Sequence, residues 1–121
     1  MGFAFLAGII AAGVAAGLIV FLVIGLTVKG ITSLAKKLFA KRAKKVLAAE
    51  IDELVKKCPN KKSMKELEKL EEKGATHIVA GVSEEGELVD DIISIKDSDD
   101  EIPYEVIDLL GEEGMVVIEA A

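Results

Sequence analysis

MGFAFLAGIIAAGVAAGLIVFLVIGLTV, residues 1–28, contains no charged side chain, and Lys29 follows it immediately. A bilayer core takes about 20 apolar helical residues to cross, and this run is long enough with some tilt. A cleaved signal peptide would have basic residues before a shorter apolar core, and no basic residue precedes Lys29. We therefore predict a retained transmembrane helix over residues 1–28.

Small residues cluster in the first half of this run, where Gly13 and Gly17 form a GxxxG pair. Helices in a bilayer associate by close packing, and small residues let two backbones approach each other. The pair therefore predicts helix packing and self-association. The alternative is that glycine is simply frequent in membrane helices. No ionisable side chain interrupts the run, so we expect no ion-carrying group within the membrane.

Basic side chains are concentrated directly after the apolar run. Residues 29–45 contain no acidic side chain, and their basic ones are Lys29, Lys36, Lys37, Lys41, Arg42, Lys44 and Lys45. Lys and Arg favour the cytoplasmic side of a membrane, so this asymmetry predicts a single-pass protein with a cytoplasmic C-terminal domain. We expect these seven side chains to contact anionic lipid head groups. Because the run has one aromatic residue, Phe39, we do not expect a nucleic-acid partner.

The remainder of the chain is acidic. From Val46 onward there are 21 acidic and 8 basic side chains, a net charge of −13. Such a domain favours a basic partner surface, and its binding would weaken as salt is added.

A helical connector is predicted over residues 29–62. Apolar residues recur at three- and four-residue steps from Ile31 to Cys58, which is typical of an amphipathic helix. Pro59 and Asn60 would end it. Its first part, residues 30–45, would lie in the membrane interface or extend the transmembrane helix, and the sequence leaves both open.

Residues 63–121 predict a small acidic α/β domain with the order α-β-β-α-β. Its predicted elements are a helix over Met64–Leu70 ended by Gly74, strands over Thr76–Val82 and Leu88–Lys96, a helix over Ile102–Leu110 ended by Gly111, and a strand over Met115–Ile118. In the second strand we expect Ile93 and Ile95 to face the core and Ser94 and Lys96 to face outward. The predicted fold class is thus a single-pass transmembrane α-helix, an amphipathic helical connector and a small α+β domain.

The densest carboxylate cluster is the acidic loop, whose members are Asp97, Asp99, Asp100 and Glu101. Alternating carboxylates can bind Ca²⁺ or Mg²⁺, but Ile102 stands where an EF-hand loop needs glycine. A solvated loop before a helix is the simpler interpretation. His77 is the one histidine, and no catalytic or nucleotide-binding motif can be assembled around it. We therefore predict no catalytic residue, no metal ion, no cofactor and no small-molecule substrate.

The sequence as a whole predicts a non-enzymatic structural or adaptor subunit of an oligomeric membrane assembly. Its partner would be further copies of the chain or another membrane protein. The main alternative is a membrane regulator that responds to divalent cations through Asp97–Glu101. A third hypothesis is an enzyme that uses His77 or Cys58.

Overall fold

The computed structural model describes residues 2–4, 13–14, 19–41, 43–57, 61–82, 87–97 and 101–119. The strands are β1 (Gly2–Ala4), β2 (Gly13–Val14), β3 (Ile19–Ile24), β4 (Lys45–Glu50), β5 (His77–Val82), β6 (Glu87–Asp97) and β7 (Met115–Glu119). The helices are α1 (Val28–Ala40), α2 (Ile51–Lys57), α3 (Lys61–Glu72) and α4 (Tyr104–Leu110).

One mixed sheet organises these elements. Its longer strands lie in the order β7-β4-β5-β6-β3, and the short β1 and β2 pair with β7 and β6. All neighbours are antiparallel except β6 with β3 and with β2. Since β3, β4 and β6 run the same way, their carboxyl ends meet the amino ends of β5 and β7. Glu50, His77 and Asp97 lie at that end of the sheet.

Helices cover both faces of the sheet. On one face, α2 and α3 pack on a core that includes Leu47, Ile78 and Val117. On the other face, α1 and α4 pack on a core that includes Val46, Val79 and Ile118. Residues that alternate along each strand therefore enter two different cores, and both cores exclude water. The sheet draws strands from all three segments, 1–28, 29–62 and 63–121, that the sequence predicts as separate regions.

The predicted transmembrane helix is wrong. In the described part of residues 1–28, the chain forms β1, β2 and β3, and β3 pairs with β6 at six successive positions. No helix among the described residues combines the length and the apolar character needed to span a bilayer. The predictions that depended on this helix, a single-pass membrane localisation and a cytoplasmic orientation of the C-terminal domain, are therefore wrong as well.

The physical reason is that an uncharged apolar run indicates burial and does not specify what buries it. Residues 19–24, IVFLVI, are rich in β-branched side chains, which favour strands. Val20, Leu22 and Ile24 pack into the core beneath α1 and α4. Gly13 lies in β2, opposite Glu87, and not on a helix. Gly17 lies outside the described residues.

The continuous connector helix is also wrong. Helix α1 begins after Thr27, whose hydroxyl oxygen accepts a hydrogen bond from the Gly30 N–H at 2.9 Å, and it ends at Ala40. The chain then forms β4, which lies between β5 and β7. Residues 46–49 of this strand are all buried because both faces of the sheet are covered, so β4 shows no alternation. Its Leu and Ala residues favour helices locally, and the tertiary structure overrides that preference.

Elements in the C-terminal half lie where the sequence predicts them. Helix α3, the β5–β6 hairpin, α4 and β7 occupy the expected positions in the expected order. Gly74 and Gly111 follow α3 and α4 with φ of +97° and +71°, a backbone conformation that glycine adopts without strain. The outward orientation predicted for Ser94 is wrong, since this side chain is fully buried.

Candidate functional site

Polar residues gather at the end of the sheet where β3, β4 and β6 finish. Glu50, the last residue of β4, stands directly opposite His77, the first residue of β5. Asp97 ends the neighbouring β6 and accepts a hydrogen bond from the Leu26 N–H, with Oδ1 3.4 Å from that nitrogen. Glu50, His77 and Asp97 lie two residues along their strands from Ala48, Val79 and Ile95, respectively. Residues two apart in a strand share a face, so all three lie on the face that α1 and α4 cover.

A cavity of about 430 Å³ opens beside these residues. Its polar lining comes from Glu50, Asp52, Glu71, Thr76 and His77. The cavity brings together the end of β4, the start of α2, the end of α3 and the start of β5. His77, which the sequence offered only for the enzyme hypothesis, lines the cavity. The sequence did not indicate the lining carboxylates, because residues 50, 52 and 71 form no local cluster in it.

Negative charge in this cavity is poorly balanced. Burial raises the pKa of Glu50, and the Glu53 and Asp52 carboxylates raise it further, against a smaller lowering effect of Lys56. Burial raises the pKa of Glu71 too, with Asp52 and Glu68 adding to the effect. Even so, no three His, Cys, Asp or Glu side chains within the described ranges converge as metal ligands.

His77 is a buried polar residue that lines this cavity. Its side chain is 5% exposed, and its Nδ1 lies 2.7 Å from the Thr76 hydroxyl oxygen. Burial lowers the pKa of His77, and the Asp97 carboxylate raises it by a smaller amount, so the ring is neutral at physiological pH. Its Nε2 is buried and has no hydrogen-bond partner among the described residues.

The Thr76–His77 pair lacks the rest of a nucleophilic site. A catalytic base needs a third group that holds its ring, and Nε2 donates no hydrogen bond to a carboxylate of the described residues. The carboxylates lining the cavity would also oppose the negative charge that develops in acyl transfer. The hypothesis of an enzyme that uses His77 stays a prediction. Cys58, the other candidate, lies outside the described residues.

The acidic loop is only partly described. Asp97 lies in contact with the segment that joins β3 to α1, and Glu101 is exposed before α4. Asp99 and Asp100 lie outside the described residues. The cation-responsive alternative stays a prediction.

The basic run is divided among several elements. Lys29, Lys36 and Lys37 are exposed on α1, which has no acidic residue in its first turn. Lys41 ends α1, Lys44 is exposed before β4, Lys45 begins β4, and Arg42 lies outside the described residues. The contact of these side chains with lipid head groups stays a prediction.

Among the described residues, large apolar side chains are exposed at two places. Phe21 and Val23 lie on β3, and Tyr104 and Ile107 lie on α4. The sequence reasoning placed Phe21 and Val23 inside a membrane helix, and it assigned no role to Tyr104 or Ile107. No signal in the sequence separates Ile107 from the buried positions of the same helix, because only the packing shows which side of α4 is covered. No protein-family model, no curated protein and no solved structure matches this chain.

Proposed function

We propose that this chain is a non-enzymatic adaptor that docks a basic segment of another polypeptide on the outer side of α4. This docking area, the α4 surface, comprises Glu101, Tyr104, Glu105, Ile107 and Asp108. The observation that carries the proposal is the pair of large apolar side chains exposed within an acidic part of the chain.

Tyr104 and Ile107 form the apolar centre of the α4 surface. They are three residues apart, so they lie on the same side of the helix, 76% and 51% exposed. Val106 and Leu110, on the adjacent side of the helix, are buried against the sheet. Exposed tyrosine and isoleucine side chains in one patch are typical of a binding surface, and tyrosine is among the residues most often found at interface hot spots.

Carboxylates surround this apolar centre. Residues 97–121 contain nine acidic and no basic side chains. Glu101, Glu105 and Asp108 are exposed, and in the described part of the chain none of them forms an ion pair. A partner with lysine or arginine around one or two apolar anchors complements such a surface in both charge and shape.

Helix α1 limits how the partner can lie. It packs on the same face of the sheet as α4, and the side chains of Lys36 and Lys37 point into solvent. A basic partner is repelled by these lysines, so it would lie along the side of α4 away from α1. A second copy of the chain could dock its own α1 here, since that helix is basic. The exposed side of α1 has few apolar groups that could contact Tyr104 and Ile107, so a different partner is favoured.

The test is binding of a model peptide. A labelled peptide of about 14 residues, with lysine and leucine at amphipathic helical spacing, is titrated with the full chain and followed by fluorescence anisotropy. We expect saturable binding that weakens between about 50 mM and about 300 mM NaCl because salt screens the carboxylates. The same peptide with glutamate in place of lysine should not bind.

Two variants and one control locate the site. E105Q/D108N removes two charges with little change in shape, and Y104S/I107S removes the apolar centre. Each should raise Kd by about tenfold or more, the loss expected when an interface anchor is removed. The control E68Q/E72Q removes the same charge from exposed positions of α3 and should change Kd by less than about twofold. Equal losses in the control and in E105Q/D108N would contradict the proposal, because net charge alone would then attract the peptide.

A further inference from the structure

The outer edge of β3 carries a second inference, on a surface that the adaptor proposal does not use. We infer that β3 pairs antiparallel with β3 of a second copy of this chain, so that two sheets join across a two-fold axis. Either proposal can fail without the other, since one concerns α4 and the other concerns β3.

β3 is an edge strand. It pairs with β6 along one side, and no strand in the described ranges pairs with its other side. That side presents backbone N–H and C=O groups in the arrangement that a further strand would bond. Proteins usually protect such edges with charged side chains, proline or a β-bulge. Residues 19–24 contain no charge and no proline, and their pairing with β6 continues through six positions without a bulge.

Both faces of β3 are apolar. Phe21 and Val23 lie opposite Ser94 and Lys96, on the face that α2 and α3 cover elsewhere, and they remain 39% and 57% exposed. Val20, Leu22 and Ile24 lie on the other face and are only partly buried. A strand added at this edge therefore has apolar neighbours above and below the sheet.

The composition of β3 identifies its partner. An added strand must itself be apolar on both faces, and β3 is such a strand, with an outer side that no described strand pairs. A two-fold axis perpendicular to the sheet keeps each face continuous between the copies, because opposed residues of an antiparallel pair point to the same side. Phe21 and Val23 of the two copies then meet on one face, and their Leu22 residues meet on the other. A basic segment of the kind that suits α4 finds no carboxylate along β3.

The expected association is modest. Six residues of strand are fewer than the roughly 20–30 residues that each partner contributes to a standard interface. We therefore expect an equilibrium between monomer and dimer that depends on protein concentration.

Analytical ultracentrifugation of the full chain tests the inference, from about 5 to about 200 μM. The native chain should shift from 12.8 kDa towards twice that mass as its concentration rises. V23K places a charge at a position of β3 that is 57% exposed, and this variant should remain at 12.8 kDa. A40K adds the same charge at an exposed position of α1 and should dimerise as the native chain does.

Hydrogen exchange provides an independent measurement. Amides of residues 19–24 should exchange more slowly in the native dimer than in V23K. If V23K loses its native circular dichroism, V23T replaces it, because threonine suits a strand and is less apolar. A native chain that stays monomeric over the whole range overturns the inference. So does a folded V23K, or a V23T used in its place, that dimerises as tightly as the native chain.

Discussion

The Ser94 hydroxyl donates a hydrogen bond to the Val20 carbonyl oxygen at 3.0 Å, which joins the side chain of β6 to the backbone of β3. Ser94 is fully buried, and its register partner on β3 is Phe21. The bond secures the strand that forms the edge of the sheet.

Ser94→Ala should therefore loosen β3. The change removes one buried hydrogen bond and should lower the free energy of unfolding by about 1 kcal/mol, measured by urea denaturation. Hydrogen exchange should increase mainly in residues 19–24. Ser33→Ala, at an exposed position of α1, serves as the control and should change neither quantity. An unchanged exchange rate in β3 would show that the Ser94 bond does not hold the edge.

Gly114 allows the turn into β7 to approach the end of β4. Its φ is +69°, and a Cβ placed there would lie 2.6 Å from Glu50 Oε2 and 2.7 Å from Glu53 Cγ. Gly114→Ala should lower the free energy of unfolding by about 1–2 kcal/mol, from the left-handed backbone conformation alone. Contact with the flexible Glu50 side chain should add to this cost.

A double-mutant cycle separates the two contributions. If contact with Glu50 matters, G114A should cost less in an E50A background than in the native chain. The same cost in both backgrounds would exclude a contribution from Glu50 and leave the backbone conformation and the contact with Glu53 as the causes.

Local sequence patterns predict the C-terminal half of the fold, where glycine residues mark the ends of the helices. Gly74 and Gly111 end α3 and α4, and the apolar runs of β5 and β7 follow Gly74 and Gly111 respectively. Ser94 is a residue for which the alternation of polar and apolar positions gives the wrong prediction. Alternation assigns a polar residue to solvent, but α2 and α3 cover the face towards which Ser94 points, and its hydroxyl is satisfied by a carbonyl 74 residues away in sequence.

Tertiary contacts determine the secondary structure of β3 and β4, the two elements that the sequence predicted wrongly. Residues 19–24 and residues 46–49 are both uncharged and apolar, and such a run is equally compatible with a helix in lipid, a helix in a core and a strand buried on both faces. Only pairing with β6, β5 and β7 distinguishes these possibilities. The candidate cavity could not be predicted for the same reason, since Glu50, Glu71 and Thr76 meet only through that pairing.

Burial of His77 should make the fold sensitive to mild acid. Its pKa in the folded chain lies below the ordinary value of 6.5, so the unfolded chain binds a proton more readily. The stability that the neutral ring contributes is complete above pH 6.5 and is lost as the pH falls from 6.5 through the folded-state pKa. Urea denaturation at a series of pH values should show this decline. His77→Gln should remove it, and a decline of equal size in this variant would contradict the assignment to His77.

The cavity carboxylates should have the opposite dependence on pH. The pKa values of Glu50 and Glu71 in the folded chain lie above the ordinary value of 4.5, so folding favours their protonated forms. Their contribution to stability is therefore complete below pH 4.5 and is lost as the pH rises through the folded-state pKa values. The ionised forms destabilise the fold because each carboxylate is partly buried and lies close to Asp52.

E50Q/E71Q should therefore raise the free energy of unfolding at neutral pH. The gain should be less than about 1 kcal/mol, since solvent screens groups that are this exposed. It should shrink as the pH falls to 4.5, where the native glutamates take up protons in the folded chain. Glu112→Gln, at an exposed position of the turn before β7, is the control and should show no comparable gain. A stability difference between E50Q/E71Q and the native chain that does not vary with pH would mean that the substitutions act through packing, because the cost of burying charge and the charge repulsion both require ionised carboxylates.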